Sequence, residues 1–492
     1  MKNTETETVA IFTIVSNNYL HYARTMLQSA KAHHRDARLY CVIVDRELSH
    51  ATPLVGEFET ISIANLSLPL GDEFLFQYSI LELNTAVKPW AIEYLLELGH
   101  HVVVFVDPDT CFYASMTNAL SLLSTDADIL LTPHLLAPIA DTKIPTELDI
   151  RRTGTYNLGF CGVKESPNTR IFLHWWQQKL TRNCIVNLES GIFVDQGWIE
   201  LAPGMFERVG ILRHVGYNVA YWNLAQRQIS KDAGGTYLIG NAPLVFFHFS
   251  GFDPFNPHAF SKHQNRFNLS TLGSIAAELL DDYVKKVMKN GASHYCQLEY
   301  AFGHYDSGDK VPDEIRRMYR TSETFRAQIG PKPFGNPAAM NEAFEEFRIG
   351  DQAPTIAMVA LWTDRPDLQL SFPLNSAESI RDFYRWFANN PLLKGYFPDA
   401  VIGHHNVVVK NWNRSFPRKA GERSAIGAQR VLRLYTLILN RNADSAAFRS
   451  YGEMCNTYWG YAQAWRHIGF SPESRRKPRL LLRVVKALIL SG

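Results

Sequence analysis

HVVVFVDPDTCFY, residues 101–113, is the stretch from which the rest of the chain is read. An apolar, largely β-branched run that stops abruptly at Asp107-Pro108-Asp109 reads as a buried central strand delivering two carboxylates to its end. Residues two apart on an extended segment share a face, and Pro108 has no N–H to give to a neighbouring strand. Asp107 and Asp109 are therefore expected to point the same way, where the strand leaves its sheet. Two hard oxygen ligands at such a place can hold a divalent cation against a diphosphate. Asp-x-Asp is also a common turn or strand cap, so the surrounding sequence has to discriminate.

Working outward, VAIFTIVS (9–16) reads as a first buried strand and YLHYARTMLQSAKAHH as a helix with Tyr22, Met26 and Ala30 at helical spacing, capped by Asn17 or Asn18. LYCVIVD (39–45) is a second strand ending on an acid, and TAVKPWAIEYLLELG a helix that stops at Gly99. Strand, helix, strand, helix, strand predicts a mostly parallel sheet covered on both faces. Asn17, Asp45 and Asp107 then fall at carboxyl ends of parallel strands, where open α/β sheets bind ligands. No G-x-G-x-x-G follows the first strand and no G-x-x-x-x-G-K-[ST] occurs, so nothing supports a dinucleotide or P-loop domain.

Beyond the central strand, DADILLTPH (126–134) is a further strand, followed by a long polar loop, read as functional or mobile, and then YNLGFCGVK (156–164). FLHWWQQKLTRNC is helical, with Trp175 and Trp176 read as core. PLVFFHFSGFDP (243–254) repeats the opening device, an apolar strand ending in a potential metal ligand, His248. After about residue 270 the pattern turns helical: 271–292 and 312–328 read as helices, a Pro/Gly linker follows, and helix-rich segments span 340–400 and the region from Ala428. The expected domains are 1–270, 271–330, 331–420 and 421–492.

At 492 residues the chain should hold several domains. A net charge of +2 gives no reason to invoke nucleic acid. Six scattered cysteines with no C-x-x-C pair argue against a zinc site or disulfide framework and for a reducing cytoplasm. The polar N-terminus does not read as a secretory signal, and no apolar stretch is long enough to span a bilayer. The expectation is a soluble or peripheral cytoplasmic protein. The tail RRKPRLLLRVVKALILSG (475–492) interleaves cations with leucine and valine, which reads equally as a basic amphipathic helix on the inner face of an anionic membrane or as a docked terminal helix.

IVSNNYLHYARTMLQSA, ELNTAVKPW, VDPDT, NLGF, VDQGWIE, YNVAYWNL and HFSGF together, and in this order, resemble bacterial glycosyltransferases of the GT-A fold. The resemblance covers about half the chain. It implies a Rossmann-like, mostly parallel α/β domain followed by a mainly α-helical region, a Mn²⁺ or Mg²⁺ cofactor, and a nucleotide-sugar donor, with UDP favoured. Carried onto this sequence, it makes Asp109 a direct metal ligand, Asp107 a ligand or ribose contact, and His248 the third protein ligand. Glycogenin-like relatives use H-x-x-G-x-x-K; His248 and Gly251 match, but Pro254 stands at the lysine position. Lys262, with Arg266 behind it, is the substitute for the phosphate contact, each otherwise a solvated loop cation.

Asn17 and Asp45 are candidates for base and ribose, or strand-end caps. Lys88 is a candidate to face the nucleotide, or a surface lysine. Asn157 and Gly159 line the donor sugar or form a tight turn. If the reaction inverts the anomeric centre, Asp195 is the first choice for the base that takes the acceptor proton and Glu200 the second; if it retains configuration, none is required. The acceptor class spans glycans, lipid-linked glycans and proteins. A sugar nucleotidyltransferase is the first rival, lacking here its basic, glycine-rich loop after strand one. A non-catalytic scaffold or glycan-binding protein of the same fold is the second. RPDLQLSFPLNSAESIRDFYRWF (365–387) resembles a helical module found beside bacterial polysaccharide glycosyltransferases, and VLRLYTLILNRNADSAAFRSYGEM with FSPESR resembles a small bacterial helical domain of unknown function.

Overall fold

In the computed structural model, the described residues are 8–46, 57–188, 191–256, 260–268, 270–321, 323–335, 354, 356–363 and 365–390, with Tyr451 and Ala464. The chain divides into two compact units, Met1–Lys310 and Val311–Gly492. Apart from Tyr451 and Ala464, the region of the expected helices from Ala428 lies outside the described residues, as does the basic tail 475–492.

The first unit is built on a seven-stranded sheet. From one edge it runs through Val209–Ile211, then β6 (Ile129–Pro133), β7 (Tyr156–Lys164), β4 (Val102–Val106), β1 (Val9–Val15), β2 (Arg38–Ile43) and β3 (Glu59–Ser62). Every strand is parallel to the others except β7, which pairs antiparallel with both β4 and β6. This is the mostly parallel α/β architecture that the strand and helix order predicts. All five residues of β4 are buried, as a strand covered on both faces requires. Helix Leu20–His33 lies on one face and buries Leu20, Ala23, Met26, Leu27 and Ala30 at i, i+3, i+4 spacing. Trp176 is buried on helix Pro167–Leu180, as expected of a core residue, whereas Trp175 is half-buried and packs on Phe206.

Two local features differ from the pattern read in the sequence. The expected single helix before Gly99 is two helices, Ile80–Ala86 and Lys88–Glu97. Ser79 and Glu82 form a reciprocal capping box that starts the first helix early, and Pro89, lacking an N–H, sits in the opening turn of the second. The long loop after β6 contains helix Glu147–Thr153, started by a second box between Thr146 and Asp149.

A two-stranded ladder stands beyond the sheet: β5 (Thr110–Phe112) pairs antiparallel with Phe246–His248, with Thr110 opposite His248. Helix Ser274–Lys289 belongs to the same unit, and its Tyr283 stacks on Phe249, ring centroids 3.5 Å apart, just beyond that ladder. Among the described residues of the second unit are helices Ile356–Thr363, Pro366–Ser371 and Ala377–Asn389, with Phe372 stacked on Phe383. The Asp367 carboxylate is buried there and held by two bonds from Arg365. No helix among the described residues is long and apolar enough to cross a membrane.

Candidate metal centre and sugar-nucleotide site

Asp107 and Asp109 leave the end of β4 through a closed turn: Thr110 Oγ1 donates to the Asp107 carbonyl at 2.8 Å, and Asp107 N–H donates to Gly159 O at 2.9 Å. The ladder then brings His248 back beside them. Its Nε2 lies 3.0 Å from Asp109 Oδ1 and 3.7 Å from Asp107 Oδ2. One ligand atom from each of the three residues falls within 4.8 Å of the others. His248 is buried, whereas the two carboxylates stay about a quarter to a third exposed. Two carboxylates and one imidazole converging this closely form a donor set that fits a divalent cation.

Burial pushes the Asp107 carboxyl up to about 6, against the pull of His248 and Lys88, while Asp109 and Asp195 push it further. Burial alone would lower the His248 imidazole, but the Asp109 and Asp107 carboxylates outweigh it and hold it above its ordinary value. Carboxylates this close repel one another unless positive charge lies between them.

Lys88 and Asp195, expected in separate roles, meet. Lys88 Nζ donates to Asp195 Oδ2 at 2.6 Å and to Leu158 O at 3.1 Å, and sits 4.2 Å from the Phe105 ring centroid. Both side chains are 2% exposed, so Lys88 is no surface lysine. Burial would lower the lysine, but Asp195 and then Asp107 overcome it and raise it above its usual range. Asp195 is thus engaged by an ammonium rather than free. Glu200 accepts from Thr155 N–H at 2.7 Å and from its hydroxyl at 2.9 Å.

Asn17 and Asp45 also meet at the ends of β1 and β2. Asp45 accepts backbone N–H bonds from Asn17, Arg46 and Ala301, and the Asn17 amide donates to Arg46 O. That arrangement staples residue 301 to the sheet end. Gly251 has φ +70°, a left-handed conformation that favours glycine, and it packs under the His263 ring. Lys262 is exposed and donates its backbone N–H to Gly251 O. Arg266 is committed elsewhere: its guanidinium grips both oxygens of Asp141 at 2.8 Å and the carbonyls of Lys143 and Pro145.

Behind Asp107, Asp109 and His248 lies a buried polar network of which only Asn157 and Gly159 are singled out from the sequence. Asn218 faces the back of His248, its Oδ1 3.1 Å from Nδ1, and also reaches Thr132 Oγ1 and Asn157 Oδ1, each at 2.9 Å. Asn157 continues to Gly159 N–H at 3.0 Å and to His134 Nε2 at 3.1 Å. Trp222 stands edge-on to both histidine rings, 5.2 Å from each centroid. Asn223 braces the turn, accepting from Ala220 N–H and donating to the carbonyls of His134 and Asn218. The signal was present in GYNVAYWNL, where two asparagines and a tryptophan interrupt an apolar run.

No protein-family model matches the chain. Two proteins of Bacillus subtilis (strain 168) are similar in sequence. YfnD, described as uncharacterized, is 27% identical over 246 residues, 49% of this chain and 76% of YfnD. YfnF, also described as uncharacterized, is 24% identical over 249 residues, 50% of this chain and 82% of its own length. Among solved structures, similarity extends to galactosyltransferase LgtC in complex with donor and acceptor sugar analogs, at 15% identity and a TM-score of 0.35, over 56% of this chain and 95% of LgtC. It extends also to a glycosyltransferase involved in glycosylation of the major capsid of PBCV-1, at 11% identity and a TM-score of 0.30, over 50% of this chain and 94% of that one.

Proposed function

We propose that this protein is a metal-dependent glycosyltransferase that moves a hexose or related sugar from a nucleotide-sugar donor, with UDP the favoured nucleotide, to a glycan, lipid-linked glycan or protein acceptor. The observation that carries the reading is the convergence of Asp107, Asp109 and His248 at the carboxyl edge of a mostly parallel sheet. Asp107, Asp109 and His248 would hold Mn²⁺ or Mg²⁺, which when bound stabilises, as a Lewis acid, the negative charge that grows on the diphosphate as the anomeric bond breaks. Each of the seven motifs that resemble GT-A glycosyltransferases contains one of the residues described above (Asn17, Lys88, Asp109, Asn157, Asp195, Asn218 and His248 in turn), which supports the same reading.

The protein's own groups have separable tasks. Asp107 and Asp109 bind through carboxylate oxygens and His248 through Nε2. The buried Lys88 ammonium offsets the charge of Asp195 and lies near enough to Asp107 to lower its proton affinity. Gly251 and Lys262 lie on the loop that leaves His248 and would border the phosphates, while Asn17 and Asp45 border the nucleoside end. We assign this chemistry to the first compact unit and an accessory role to the helices beyond it.

The test is binding of UDP, GDP, CMP and dTDP with Mn²⁺, Mg²⁺ or EDTA, by thermal shift and calorimetry, on the wild-type protein and Asp109→Ala. A nucleotide at a hundredfold over its Kd stabilises by about 2.7 kcal/mol. Metal-dependent stabilisation by one nucleotide, lost in Asp109→Ala, is the expected result. No response to any nucleotide with either metal would overturn the reading in favour of a non-catalytic scaffold.

A further inference from the structure

The buried network behind His248 has a polarity that can be worked out from one backbone group. Gly159 N–H can only donate, so the Asn157 atom 3.0 Å from it is the amide oxygen. The other end of that amide is then its NH₂, which donates to His134 Nε2 at 3.1 Å. His134 must accept there, and its proton resides on Nδ1. Burial holds this imidazole down at about 4, so it is neutral and the choice of tautomer is a real one.

The same oxygen of Asn157 faces Asn218 at 2.9 Å, so Asn218 turns its NH₂ toward it. Thr132 agrees: its hydroxyl gives its proton to Asn157 O at 3.2 Å and is left to accept from the Asn218 NH₂ at 2.9 Å. The Asn218 oxygen is left facing His248 Nδ1 at 3.1 Å. An acceptor there requires a proton on Nδ1. With Nδ1 committed to Asn218, Nε2, 3.0 Å from Asp109 Oδ1, is the ring nitrogen that can exchange its proton for a metal.

Asn218 is held in this position at a backbone cost. It has φ +50°, a conformation that asparagine tolerates better than most residues, and it is 1% exposed. Gly159 is equally constrained, since a Cβ there would lie 2.6 Å from His248 Cε1 and 2.7 Å from Asn157 Oδ1. Trp222, edge-on to both imidazoles, limits their rotation.

We propose that Gly159 N–H, Asn157 and Asn218 form a relay of fixed polarity that locks His248 in its Nδ1–H tautomer and so presents Nε2 to the metal, with His134 as the relay's second output. Asn157 and Asn218 are positioning residues acting through His248. The inference rests on the metal-centre reading for its purpose, but not for its geometry.

The relay is tested on the full chain by long-range ¹H–¹⁵N correlation of labelled histidines in mildly alkaline buffer, with Mn²⁺ affinity measured in parallel by loss of the free-ion electron paramagnetic resonance signal. In the wild type, both His134 and His248 should show Nδ1–H. Asn157→Asp keeps an acceptor for Gly159 N–H and for the Asn218 amide but removes the donor to His134. His134 should switch to Nε2–H while His248 keeps its tautomer. Asn218→Gly suits the positive φ and removes the acceptor, so His248 should populate both tautomers and Mn²⁺ affinity should fall roughly 10- to 100-fold. An unswitched His134 in Asn157→Asp would overturn the relay, as would an unchanged His248 tautomer and affinity in Asn218→Gly. If the glycine variant fails to fold, the aspartate variant decides alone. A wild-type protein that binds no Mn²⁺ would overturn the metal-centre reading, and the tautomer pattern would still judge the relay.

Discussion

Lys88→Met should strand the Asp195 carboxylate in the interior. The pair is 2.6 Å apart with both side chains 2% exposed, and Lys88 also satisfies the Leu158 carbonyl at 3.1 Å and lies over the Phe105 ring. Removing one partner of a buried, hydrogen-bonded pair costs about 3–5 kcal/mol, because the remaining charge is left without compensation. Removing both, as in Lys88→Met with Asp195→Leu, should recover most of that loss, since an apolar pair of similar volume often replaces a buried ion pair at no net cost. The two single variants and the double variant form a cycle whose coupling term should be about 2 kcal/mol or more. Urea unfolding followed by tryptophan fluorescence, fitted to the transition of the first unit, reads it. Lys88→Met should also weaken Mn²⁺ binding, because the lysine is one of the charges that draw Asp107 toward its ionised form. Single variants each costing under about 1 kcal/mol, or a double variant equal to their sum, would refute the reasoning: the pair would then be solvated in solution and not a buried element of the site.

Gly159→Ala should lose Mn²⁺ binding and about 1–3 kcal/mol of stability, because the new methyl meets His248 and Asn157. Gly162→Ala, whose Cβ would meet the Leu123 side chain instead, should lose stability while keeping the metal; equal metal loss in both would show that overpacking of β7, not contact with His248, is responsible. Stability should also fall with acidification. Burial holds His21, His34 and His134 down at about 4 in the folded protein, below the ordinary 6.5, so the unfolded chain binds more protons between those values. Stability from each is complete above pH 6.5 and is lost as pH falls toward 4, about 2 kcal/mol per histidine by pH 5. His34 accepts Met116 N–H at Nε2, 2.9 Å away, which a protonated ring cannot do. His34→Gln, which offers a carbonyl instead, should flatten the pH slope of the urea midpoint; an unaltered slope would remove His34 from the account.

Asp107, Asp109 and His248 were legible because their signal is local. Each is a polar residue that abruptly ends an apolar strand, and a strand end at the carboxyl edge of a parallel sheet has few positions available. The Lys88–Asp195 pair was not legible, since 107 residues separate its members and nothing near either one names the other. Its cost is visible only once both are known to be buried. The helix Glu147–Thr153 was missed for a smaller reason: a capping box of Thr146 and Asp149 starts a helix in a stretch whose composition otherwise reads as loop. Asn157 lay between the two cases. Its residue type announced hydrogen bonding, but whether to a sugar or within the protein depended on neighbours that the sheet alone supplies.

Strand β7 accounts for most of what the sequence withheld. An apolar run reads the same in either direction, so YNLGFCGVK discloses a buried strand and not its polarity. Because β7 runs against β4 and β6, its beginning, not its end, lies at the carboxyl edge of its neighbours: Val106 pairs with Phe160, and Val102 with Lys164. The reversal places the opening Asn157-Leu158-Gly159 of β7 beside the closing Asp107 of β4. From there Leu158 supplies a carbonyl to Lys88, Gly159 supplies a carbonyl to Asp107 N–H and its own N–H to Asn157, and Asn157 supports Asn218 behind His248. A parallel β7 would have brought Cys161-Gly162-Val163 to this edge instead, with no polar side chain to set the histidine. The proposed metal ligands Asp107 and His248 therefore lie at the ends of strands that finish at the site, and Asn157, Leu158 and Gly159, which brace the groups around them, lie on the one strand of the sheet that begins there.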